Sequence, residues 1–377
     1  MRSEFHLDPD IIYLNHAAVA PWPRRTAEAV RRFAAENATL GAAHYPAWTE
    51  KEQSLRERLA RLVNAPSVDD IALVKNTSEA LSFVAYGLPW EPGDNIVSIA
   101  QEFPSNRVVW ESLAQQGVEL RLLDLYAAAD PEGDLLALCD GRTRLLSVSA
   151  VQYARGLRMD LERIGAHCRT RDILFCVDAI QQIGALPFDV QAIRADFAAA
   201  DGHKWMLGPE GLAVFYVREE VRERLRLNQY GWHMLERMGD FERSDWQPAR
   251  SARRFEAGSP NMLGIHALEA SLSLLEELGT QSIADAIAAN ISLCVELTEK
   301  QGFELLSESN PQRRSGILTF RVPYIDQARL HKELMHRGVI CAQRGGGIRF
   351  SPHFHTAPEA LERAFAILKD AADKILA

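Results

Sequence analysis

The stretch DILFCVDAIQQIGALPFDVQAIRADFAAADGHKW (172–205) decides the fold. It opens with an apolar run that stops at Asp178. A second run, ADFAAA, stops at Asp201-Gly202-His203-Lys204. Short apolar runs closed by polar residues read as buried strands. Similar runs stand on either side: DNIVSIA (94–100), VELRLLDL (118–125), TRLLSVSAV (143–151) and GLAVFYV (211–217). Between them lie segments with apolar residues at helical spacing, such as Leu55, Leu59, Leu62 and Val63. This alternation predicts an α/β fold with helices packed on a largely parallel sheet. Ligands in such sheets bind beyond the carboxyl ends of the strands, where Asp178 and Lys204 both fall.

A lysine at such a strand end, followed by Trp205, Met206 and Leu207, sits where its charge is disfavoured. Desolvation lowers a lysine pKa and makes the amine nucleophilic, as a Schiff-base lysine requires. Read alone, Lys204 is more simply a strand-end lysine reaching water, because surface lysines dominate. Asp178 is a carboxylate that burial makes costly unless it is paired, or else a helix cap after a strand. Lys75-Asn76-Thr77-Ser78-Glu79 precedes an amphipathic stretch and offers hydroxyls and free N–H groups at a helix start. That is an anion seat or a plain capping segment.

Further out, residues 228–260 carry little periodicity. A helical stretch (262–301) follows, then strand-like GILTFRV (316–322), a helix (326–337), strand-like GVICAQR (338–344) and GIRFSPHF (347–354), and a closing helix (358–376). These predict a smaller α+β unit. A length of 377 residues suits two domains, and 47% hydrophobic with 25% charged residues suits a globular protein. The net charge of −9 argues against a broad nucleic-acid surface. No run approaches a membrane span, and the start shows no apolar leader segment. Five cysteines without a CxxC suit a reducing cytoplasm. There is no GxGxxG after a strand and no GxxxxGK[ST], so NAD and nucleoside triphosphates lack support.

In order, the chain presents YLNHAA (13–18), NTSEAL (76–81), EFPSN (102–106), VDAIQQIGALPFDV (177–190), ADGHKW (200–205), RFEAGSPN (254–261) and IRFSPHFHT (348–356). With these segments it resembles the class V aminotransferase family of fold-type I pyridoxal-phosphate enzymes, a group that includes cysteine desulfurases and isopenicillin-N-epimerase-like proteins. The resemblance implies a large domain (16–260) with a mainly parallel seven-stranded sheet, and a small α+β domain (1–15 with 261–377). It implies pyridoxal 5′-phosphate as cofactor. Lys204 resembles the lysine that condenses with its aldehyde. Asp178 then faces the pyridine nitrogen, Gln181 the phenol oxygen, and Phe103 the ring. Thr77, Ser78, Asp201 and His203 match phosphate-side positions, although a serine or threonine is frequent where Asp201 stands, and a carboxylate cannot donate to a phosphate dianion. Ser259 matches a hydroxyl that reaches the phosphate of a neighbouring subunit, which implies a homodimer. Arg349 matches the substrate-carboxylate clamp; Arg344, Asn15 and His16 are substrate-side candidates.

The implied activity is Lys204-based chemistry on an amino acid or amine, with transamination ranked first and epimerisation or β-elimination as alternatives. A cysteine desulfurase is disfavoured, because Phe103 stands where a histidine is common and Cys341 lies in an apolar run too close to Arg349 to ride a mobile loop. A non-catalytic cofactor-binding protein, and a metal-dependent or cofactor-free α/β enzyme using His203 and Asp201, remain as other readings. No metal site is expected, since His353-x-His355 lacks a third ligand at a recognisable spacing.

Overall fold

A computed structural model describes residues 4–242 and 244–376. Strand β1 (Ile12–Tyr13) lies apart from the main sheet. The next seven strands form that sheet: β2 (Ile71–Val74), β3 (Asn95–Ile99), β4 (Glu119–Leu123), β5 (Thr143–Ser149), β6 (Leu174–Asp178), β7 (Phe197–Asp201) and β8 (Ala213–Val217). Their order is β2-β8-β7-β6-β5-β3-β4. All neighbours pair in parallel except β8, which runs against both β7 and β2. The sequential order reverses at β3, which has β4 on one side and β5 on the other. Such a reversal opens a crevice beyond the strand ends.

Both faces of this sheet are covered, which is why its strands read as unbroken apolar runs. Leu174, Cys176, Phe197 and Ala199 pack in one buried cluster with residues of α3 (Thr77–Gly87) and with Trp110 of α4 (Ser105–Glu111). Phe175, Val177, Ala198 and Ala200 join the larger core on the opposite face. That core includes α1 (Arg24–Leu40), α2 (Tyr45–Leu62), α6 (Leu161–Thr170) and α8 (Met262–Leu278), with the short α5 (Pro131–Ala137) beside α6. A short α7 (Glu219–Arg222) follows β8. Side chains alternate along a strand, so Asp178 and Asp201 both project toward the α3 side.

The second unit holds β9 (Glu304–Leu305), β10 (Leu318–Arg321), β11 (Val339–Ile340), β12 (Ala342–Arg344) and β13 (Gly347–Phe350). Four of these make an antiparallel sheet in the order β12-β13-β10-β9. Helices α9 (Thr280–Lys300), α10 (Gln327–His336) and α11 (Pro358–Leu376) pack with it, and β1 pairs in parallel with β11.

Two elements differ from the sequence expectation. The helical stretch 262–301 is two helices bent by 83° at Gly279, whose φ of 78° ends α8. Its halves serve different layers: α8 packs against α1 and α2, α9 against β9, β10 and α11. The run 338–344 is two short strands parted at Cys341, one pairing with β1 and the other with β13. Among the described residues, no single helix is long and apolar enough to cross a membrane.

Candidate active site

Lys204 leaves the turn after β7 and is 8% exposed. Burial pushes its amine down to about 8; Asp178 opposes the fall and Arg349 adds to it. Its Nζ lies 5.5 Å from the ring centroid of Phe103. Phe103 meets Tyr153 edge-on and is 40% exposed, so ring surface remains open toward the lysine. A flat π-system fits such a surface.

Asp178 is buried, and its Oδ1 accepts the Ile180 N–H at 3.1 Å. Burial pushes its carboxyl up to about 6, with that hydrogen bond and Lys204 pulling down. Gln181 donates from Nε2 to Ala17 O at 3.0 Å and accepts from Trp205 Nε1 at 2.8 Å. An amide NH₂ has two hydrogens, so one remains for a ligand. Sequence reasoning missed Glu102, whose neighbour Phe103 was identified. It is buried where the sheet reverses, accepting the Ser149 N–H at 2.7 Å and the Ser149 hydroxyl. Burial raises it to about 7, and the charge of Asp178 adds to the rise. The only signal was its place directly after a strand.

At the start of α3, Asn76 Oδ1 caps the Glu79 N–H. Thr77 donates its N–H (2.5 Å) and hydroxyl (3.2 Å) to Asp201 Oδ1. Ser78 Oγ donates to Ser105 Oγ at 2.8 Å. His203 Nδ1 lies 3.4 Å from Asp201 Oδ2, and burial, with Lys204 adding, pushes this imidazole down to about 4. Ser259 lines a cavity with Glu79, Gln229 and Trp232, where its hydroxyl accepts from Trp232 Nε1 at 3.4 Å.

Arg349 on β13 is 3% exposed. Its Nη1 donates to Tyr153 O at 2.7 Å, its Nη2 approaches Asn15 Oδ1 at 3.4 Å, and its Nε is buried without a partner. Burial lowers it to about 10, and the nearby charge of Arg344 adds to this. A buried guanidinium with neutral contacts and a spare N–H is shaped for an incoming carboxylate. Arg344 itself is exposed and donates to Gln343 O. His16 lies behind this end of the cleft, fully buried. Its Nδ1 donates to Ser351 O (2.9 Å), so its Nε2 accepts from His355 Nε2 (3.1 Å).

The structure therefore supplies the third histidine that the spacing did not reveal, yet no metal site results. His353 bonds Trp205 O through Nε2 and the Phe354 N–H through Nδ1, leaving no ligand atom. Among the described residues, Glu52, His233 and Glu256 also converge within ligating distance of one another. There Arg56 already bridges both carboxylates and supplies the cation.

All five cysteines are free. Cys341 is buried with its thiol pushed up to about 12. The strands β12 and β13 close through Gly345-Gly346 alone, both at positive φ. Cys176 lies on the same strand face as Asp178, deeper in the core and fully buried, and Cys168 and Cys294 are buried too. Cys139 is half-buried and raised to about 11.

A desolvated lysine, a facing acid, an anion seat at a helix start and an unpaired arginine fit pyridoxal 5′-phosphate with an amino-acid substrate. They define a fold-type I pyridoxal-phosphate enzyme. The chain belongs to the class-V aminotransferase family, whose family model matches residues 12–357. The cofactor of that class is pyridoxal 5′-phosphate. Over 96% of its length the chain is 32% identical to a probable cysteine desulfurase of Methanothermobacter thermautotrophicus, covering 95% of it. The cysteine desulfurase CsdA of Escherichia coli superposes with a TM-score of 0.86 at 25% identity, over all of this chain and 97% of the other. A cystine C–S lyase, solved with its product cysteine persulfide, has the same fold: TM-score 0.89, 23% identity, 96% and 98% covered. These findings overturn the expectation of transamination, because the similar proteins cleave carbon–sulfur bonds. Relatives over nearly the whole chain carry the name cysteine desulfurase, so Phe103 in place of a histidine does not by itself set carbon–sulfur chemistry aside.

Proposed function

We propose that this chain is a pyridoxal-phosphate-dependent carbon–sulfur lyase that β-eliminates sulfur from a cysteine-type amino acid, working as a homodimer in the cytoplasm. Its kinship with cysteine desulfurases supports cysteine-type substrates. One observation carries the choice of elimination: each of the five thiols is buried or half-buried, and the hairpin beside Arg349 is closed by two glycines, so no thiol stands exposed at the cleft to collect sulfur. The free thiols suit a reducing compartment.

The bound cofactor supplies an electron sink at the substrate's Cα. The residues do the rest. Arg349 offers Nε and Nη2 to the substrate carboxylate. Asp178 would hold a proton on the ring nitrogen, and Gln181 has a second Nε2 hydrogen to offer the phenol oxygen. Phe103 would cover one side of the ring and keep water from it. With its pKa near 8, Lys204 exchanges protons readily at neutral pH, so its Nζ takes the Cα proton. The Cβ–S bond then breaks with its electron pair on sulfur, which leaves as a thiolate. Hydrolysis of the released enamine gives pyruvate and ammonium.

The test is product analysis of the holoenzyme with cysteine and with cystine. Pyruvate matched by sulfide or persulfide is expected, unchanged in rate by Cys341→Ser. Alanine in place of pyruvate would show sulfur passing to an acceptor thiol, and would overturn the elimination.

A further inference from the structure

The start of α3 is the seat that a cofactor phosphate needs, with N–H groups and the positive end of the helix dipole. In this chain a carboxylate already stands there. Asp201 Oδ1 takes the Thr77 N–H and hydroxyl, and Oδ2 turns toward His203. The side chain is 14% exposed, so water screens it little. A phosphate dianion placed at the same helix start meets an acceptor-only group of its own sign. Two anions brought into contact where water screens little do not both stay charged.

We propose that Asp201 binds the cofactor phosphate as the protonated acid, donating its hydroxyl, so that the chain takes up one proton from solvent when the phosphate seats. The inference rests on the cofactor established by family membership and concerns only this residue. Every packed element bears on it. Asp178 on β6 and Glu210 beyond the lysine turn are negative and favour the proton. Lys204 is positive and opposes it. His203 is held neutral, and Thr77 and Ser78 on α3 are uncharged. Burial already raises the Asp201 carboxyl above the usual range, against the pull of the Thr77 N–H and of Lys204. The arriving phosphate carries it further in the same direction. No oxidant or second reactant is needed: solvent gives one proton and the carboxylate accepts it.

The experiment uses the full chain stripped of cofactor and pyridoxine 5′-phosphate, which lacks the aldehyde and cannot condense with Lys204. Calorimetric titrations run from pH 6.5 to 8.5, above the second ionisation of a phosphate ester near about 6. Two buffers of different ionisation heat give the proton count. The wild-type chain is expected to absorb about one proton per site. Asp201→Asn keeps the Oδ1 acceptor for Thr77 and donates from its amide without borrowing a proton. Its affinity relative to wild type is expected to rise about tenfold per pH unit, a ratio that cancels the titration of Lys204. Asp201→Ser, with a hydroxyl donor, is expected to show the same ratio. Tight binding with no proton uptake, or equal pH profiles for wild type and Asp201→Asn, overturns the assignment. So does a slope that disappears in His203→Asn, which would place the proton on the imidazole. Absence of binding at every pH, with no borohydride fixation of pyridoxal phosphate at Lys204, would bring down the cofactor reading itself.

Discussion

Asp178 and Asp201 close neighbouring strands of one sheet, with Asp178 level with Ala199 on β7 and both side chains toward α3. Burial pushes both carboxyls up. Their surroundings part them. Asp178 receives one backbone N–H and faces the lysine across the cleft. Asp201 receives two donors from Thr77 and stands beside a neutral histidine. The same residue type at the same topological place is thus set to answer a cation in one case and an anion in the other. Identity of side chain says little about charge state here; the count and sign of the neighbours decide it.

The largest break in this comparison comes from removing the cation between the acids. Lys204→Ala is expected to lower turnover by on the order of 10⁴ or more, and to abolish borohydride fixation of cofactor, read by mass, while circular dichroism stays native. Next is Asp178→Asn, with a loss on the order of 10²–10⁴ in turnover. This variant also sharpens the electrostatics. With a carboxyl near 6 in the folded chain and near about 4 when unfolded, the native state holds a proton that the unfolded chain has lost. The contribution of Asp178 to stability in the cofactor-stripped protein is therefore fullest below about pH 4 and is lost as pH rises through 6. The variant escapes that loss, so urea denaturation should find it gaining about 3 kcal/mol on wild type between pH 4 and 7. An unchanged difference would mean that Asp178 is not held protonated. The smallest effect belongs to Thr77→Val, which removes one of two donors to Asp201 and leaves the N–H. A loss of about 1 kcal/mol in unfolding free energy is expected.

Much of this site was legible because its residues sit at strand ends. Asp178 and Lys204 stop apolar runs, and a charged residue at the end of a buried strand stands out in one dimension. The layered sheet followed from the same runs. The reversed direction of β8 did not, since an apolar run carries no arrow. The break at Gly279 was hidden because apolar spacing continues on both sides of it, although the halves pack on different layers. Glu102, and the buried Glu52, Arg56, His233 and Glu256, were missed for a different reason. Glu52 and Arg56 are four residues apart, but their other partners lie tens to hundreds of positions away, as Arg56 and Glu256 do, and a charge reads as solvated until its partner is seen. The bond from Thr77 to Asp201 has the same origin: the sequence marked Asp201 as a departure but could not show which donors it takes.

The two-glycine closure between β12 and β13 has a consequence for traffic. Gly347, the first residue after it, could not carry even a methyl group, which would lie 2.1 Å from Phe320 O. The bend is packed close against β10. On the reading proposed above, sulfur is not handed over by a thiol of this chain reaching from this rim; it leaves the cleft by diffusion.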